Sequence, residues 1–143
     1  MSEHESATRP MKDTPLDAEL ARTLGVIGAR LHEQIAAIVA CLPKEQRTAK
    51  GMTVRFKIEG VVARRLVRAL AGEPGLLTLT RLPSPDHVRA FVNLVAFDKI
   101  NIQACEAVRS SLDELDAATK GLGGGRARLT QRIRATRRTG DGA

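Results

Sequence analysis

The chain has 143 residues, 23 Lys or Arg against 16 Asp or Glu, a formal net charge of +7, and 43% apolar but only 2% aromatic residues. That length fits one domain with appendages, and the apolar and charged fractions exclude low-complexity disorder of the whole chain. No apolar run approaches the roughly 18 residues that mark a membrane span.

Residues 1–13 lack apolar periodicity and are expected to form a disordered tail; Glu3 and Glu5 argue against a secretory signal peptide. Residues 14–43 then carry the pattern of a long amphipathic helix. Thr14 and Pro15 offer a cap and a first-turn proline, and Pro43 offers a stop. The apolar stripe comprises Leu16, Leu20, Leu24, Ile27, Leu31, Ile35, Ile38 and Leu42, in steps of three and four. About 28 residues make a rod of roughly 42 Å, longer than a domain of about 30 Å built from the rest. Two outcomes are open. Either Leu20, Leu24, Ile27, Leu31, Ile35 and Ile38 form a homodimeric oligomerisation arm, or the helix folds back over its own domain.

After a polar linker, residues 44–51, the pattern changes. Val54, Phe56 and Ile58 alternate with Thr53, Arg55 and Lys57, as in a strand. Val62, Leu66, Ala69 and Leu70 suggest a helix with Arg64, Arg65 and Arg68 on its exposed side, ended by Gly72-Glu73-Pro74-Gly75. Leu77 and Leu79 alternate with Thr78 and Thr80 in a second expected strand. A third is expected over Val88–Phe97, although Ser84-Pro85-Asp86 is also a good helix start, from which one helix could run to Lys120. Cys105, Val108, Leu112 and Leu115 mark a helix, followed by the Gly123–Gly125 loop. Residues 126–135 read as a fourth strand with one basic face, or as a loose tail. The expected domain therefore spans 52–135, with a disordered basic tail over 136–143. Its fold class is α+β, a ferredoxin-like two-layer sandwich of βαββα order preceded by the long helix.

Thr53–Ile58, Val61–Gly75 and Leu77–Ala96 together resemble, in pattern, the ferredoxin-like regulatory domains of the ACT type. The resemblance covers about a third of the chain and implies sheets paired edge to edge with small metabolites at the interface. It assigns no ligand residue, because the Glu59-Gly60 loop carries no metabolite-binding signature.

The charge map carries the functional signal. Residues 121–143 hold Arg126, Arg128, Arg132, Arg134, Arg137 and Arg138 against Asp141 alone, so most of the excess is C-terminal. On the open face of the expected sheet, Arg55, Lys57, Arg126, Arg128, Arg132 and Arg134 would contact phosphates, and Phe91 would stack on a base. Arg89-Ala90-Phe91-Val92 is partly similar to the aromatic strand of RNA-recognition motifs, but Ala90 and Asn93 replace a needed glycine and aromatic. Thr53–Ile58 is similar to the opening of a ribbon-helix-helix repressor, but Leu76–Leu82 makes too long and too strand-like a spacer.

His4, His32 and His87 are scattered, and Cys41 and Cys105 lack metal-ligand neighbours, so neither catalysis nor any metal or cofactor is expected. The two cysteines fit a reducing, cytoplasmic setting. The expected function is non-catalytic binding of DNA or RNA by a homodimeric regulatory or accessory protein that does not enter membranes. The alternative is an ACT-like protein-interaction or metabolite-sensing module.

Overall fold

Ala18–Ala40 form α1, Ala49–Phe56 α2, Gly60–Ala71 α3, Thr78–Arg81 α4, Pro85–Phe97 α5, Ile102–Thr119 α6 and Gly125–Gly142 α7, with a 3-10 turn at Lys44–Gln46. The computed structural model describes the backbone of residues 14–142 and the side chains of 14–138, and no strand occurs among them. The ferredoxin-like α+β sandwich is thus corrected to an all-helical fold, and the sheet implied by the ACT resemblance is absent from the described residues. The tail expected over 1–13 lies outside those residues.

The long helix is present but starts at Ala18. Asp17 caps it, its side chain accepting from the Leu20 amide at 2.8 Å. Thr14–Leu16 are held outside the helix by α7. Arg132 donates to the Thr14 and Pro15 carbonyls at 3.1 and 3.3 Å, and the Leu16 amide donates to Thr136 Oγ1 at 2.7 Å. At the other end Arg47 donates to the Ala40 and Leu42 carbonyls, which lack partners within the helix.

Leu24, Ile27, Leu31, Ile35 and Ile38 are all at most 2% exposed. Leu20 is half-buried against the same core. The stripe therefore fills the domain's own centre: α1 packs chiefly along α6, and also meets α3 and α4. Its assignment as an oligomerisation arm is corrected on that ground. The 23 residues of α1 span only about 35 Å, a length that the helices around it cover.

Residues 53–58 belong to α2 and its exit. Thr48 caps α2 by accepting from the Gly51 amide, and Lys57 ends it in the left-handed region at φ 58°. Met52 and Phe56, four apart, are the buried pair, whereas Val54 is exposed. The third expected strand is α5. Ser84 caps it, Pro85 occupies the first turn, and Val88, Phe91, Val92 and Val95 are buried at helical spacing. Phe91 meets Phe56 edge-on with ring centroids 5.5 Å apart. Lys99 and Asn101, at φ 61° and 42°, break the chain between α5 and α6, so no single helix runs from Ser84 to Lys120. The second expected strand is the single turn α4. The fourth lies within α7, where Ile133 and Ala135 are buried, and residues 136–142 continue that helix where a loose tail was expected.

Candidate anion-binding cleft

Helix α3 is short and sharply two-sided. Val62, Ala63, Leu66 and Ala69 enter the core, so Val61, Arg64, Arg65 and Arg68 share the opposite face at steps of three and four. The turn at Gly75 folds α4 back beside α3 and brings Leu77, Thr80 and Arg81 alongside. Helix α7 adds Arg134 and completes a cleft of about 500 Å³.

Among the described residues, five arginines and no carboxylate line this cleft. The ion pairs among the described residues use Arg30, Arg55 and Arg89, and the side-chain hydrogen bonds of arginine use those three with Arg47, Arg109, Arg126 and Arg132. Arg64, Arg65, Arg68, Arg81 and Arg134 have no such partner there. Their charges add in one concave place, which is the arrangement that attracts a polyanion. Arg137 and Arg138 lie exposed on the next turn of α7.

The residues expected from sequence to bind phosphate are dispersed. Arg55 is tied to Asp98 at 2.9 Å and to Gln46 at 3.1 Å, and lies 5.4 Å from the Phe56 ring centre. Lys57 is exposed at the exit of α2. Arg128 sits beside Arg132 in a small crevice near Thr14. Arg132 holds the chain before α1, and Arg126 is half-buried with Nη2 donating to the Thr80 and Leu82 carbonyls. Of the set only Arg134 reaches the cleft. Phe91 is fully buried, so its role as a stacking residue is corrected.

Arg64, Arg65, Arg68 and Arg81 are the members that sequence reasoning missed. The signal for three of them was present as the exposed side of an expected helix. What could not be seen was that α4 and α7 would face it.

His32 Nε2 lies 2.9 Å from the Gly72 carbonyl and His87 Nδ1 lies 2.8 Å from Ser84 Oγ, so each is engaged locally. No group of three His, Cys, Asp or Glu among the described residues is placed to hold a metal ion, and no helix there is long and apolar enough to cross a membrane. No family model, curated protein or solved structure matches this chain.

Proposed function

We propose that the protein binds nucleic acid non-catalytically, by its phosphate backbone, through the α3–α4–α7 cleft. The observation that supports this reading is the convergence of five arginine side chains with no acidic lining residue among those described. Guanidinium groups make bidentate hydrogen bonds to phosphate oxygens, and releasing condensed counterions supplies the driving force. Phe56 and Phe91 are buried in the core; Phe97 is exposed, at 85%, and it is not a cleft residue. The mode is therefore phosphate contact without base stacking, tolerant of sequence and stronger on the denser charge of a duplex.

Fluorescence anisotropy with a labelled duplex at 50, 100 and 200 mM salt tests this. If all five arginines meet phosphates, log K against log salt should slope by about −4.5, and affinity should fall roughly 500-fold across that range. Replacing Arg64 and Arg68 by Gln should flatten the slope by about 2. An unchanged slope in that variant would sink the assignment. Displacement of the duplex by equimolar tripolyphosphate would instead assign the cleft to a compact polyphosphate.

A further inference from the structure

A second cavity, partly open to solvent, lies on the other side of α4, between α1, α5, α6 and α7. Its volume is about 210 Å³, more than the roughly 150 Å³ that admits benzene to an apolar protein cavity. Leu31, Leu82, Val88, Leu112, Leu115 and Leu129 give it an apolar wall. Two charged residues among those described border it, Asp116 and Arg126. The Asp116 carboxylate is engaged by Arg89 at 2.8 Å. Arg126 has no carboxylate partner among the described residues, only the two backbone carbonyls that its Nη2 reaches.

No described side-chain nitrogen is both buried and unpaired, so the remaining donors of Arg126 open onto accessible space. Burial, and after it the charge of Arg65, push this guanidinium below its ordinary pKa. It is a partly desolvated cation at the edge of an apolar cavity. A ligand that supplied a carboxylate there and an apolar body within would satisfy both features at once.

We propose that this cavity binds a small apolar carboxylate, with Arg126 receiving the carboxylate and the leucines enclosing a chain of about eight carbons. Arg126 is not among the lining residues of the phosphate cleft, so the two sites are separate.

The probes are octanoate, octan-1-ol and octylamine, below micellar concentrations, measured by calorimetry and by the shift in Tm. Octanoate should bind and raise Tm, with at least about tenfold higher affinity than octan-1-ol, and octylamine should be weakest. Arg126→Met should remove the preference for octanoate over octan-1-ol. Because that change also removes the contacts to α4, Leu129→Phe provides a second variant that fills the cavity and leaves Arg126 in place; it should abolish binding of both. The Arg64→Gln, Arg68→Gln protein should bind octanoate as the parent does. Equal affinity for octanoate and octan-1-ol, or octanoate binding that survives Leu129→Phe with the helical circular dichroism intact, would overturn the proposal.

Discussion

Ile35→Ala separates an interior stripe on α1 from an intermolecular one. Ile35 is fully buried, with neighbours on the same face at Leu31 and Ile38 that are buried as completely. Truncation removes three side-chain carbons from a packed site, and such changes cost about 2–5 kcal/mol, the upper part applying where the neighbours cannot collapse into the gap. Helix α6 lies along α1 as a long, continuous partner, which limits that collapse and places the expected loss at about 3–4 kcal/mol. For a chain of this size the fall in Tm should be roughly 6–16 °C. Urea titrations followed by far-ultraviolet circular dichroism, at two protein concentrations tenfold apart, read the loss directly. The midpoint should drop in the variant and be independent of concentration in both proteins. A loss under about 1 kcal/mol, or a parent midpoint that rises with concentration, would refute the placement of the stripe inside the monomer.

Gly28→Ala tests a close helix–turn approach. A Cβ at that position would collide with the Gly75 carbonyl oxygen, a backbone atom, so the turn or α1 must move and the cost should be about 1–3 kcal/mol or more; a Tm equal to the parent's would show that the contact is looser. Thiol labelling with a disulfide reagent at pH 8 should modify the exposed Cys41 in the native state. Cys105 is buried, and that burial raises its thiol pKa against the opposing charge of Arg109, so it should react only after denaturation. Rapid modification of both in native buffer would contradict the packing of α6.

The helices with the longest apolar repeats were legible. Over α1 the apolar steps of three and four persist for about six turns, and over α6 Cys105, Val108, Leu112 and Leu115 repeat them. A ten-residue window is harder. Val88, Phe91, Val92 and Val95 satisfy a helical stripe, yet Val88, Ala90, Val92, Leu94 and Ala96 satisfy strict alternation in the same stretch. A segment rich in small and apolar residues on every face carries both periods, and the decision falls to its start. Ser84-Pro85 supplied that start, a cap and a first-turn proline that a strand does not need. The Thr53–Ile58 alternation was shorter still. There Thr48 capping at Gly51, and Met52 four residues before Phe56, outweighed three alternating pairs.

The arginines show a different limit. A count of charges along the chain locates the excess, but it does not locate the cations that lack partners. The C-terminal segment holds most of the excess, yet Arg132 and Arg126 are engaged by backbone carbonyls brought from residues more than 40 positions away. Helix α3 stands out only when pairing is known. Arg89 meets Asp113 and Asp116, Arg30 meets Glu114, and Arg55 meets Asp98. Those carboxylates are thereby committed to other sides of the molecule, and the α3 face keeps three arginines without one among the described residues. Exposed pairs of this kind contribute little to stability, about 0–1 kcal/mol each. Their consequence lies in the field: each neutralised arginine elsewhere sharpens the contrast between the rest of the surface and the cleft. Local sequence could supply the arginines of α3, but only the tertiary fold could leave them without partners among the described residues and set Arg81 and Arg134 beside them.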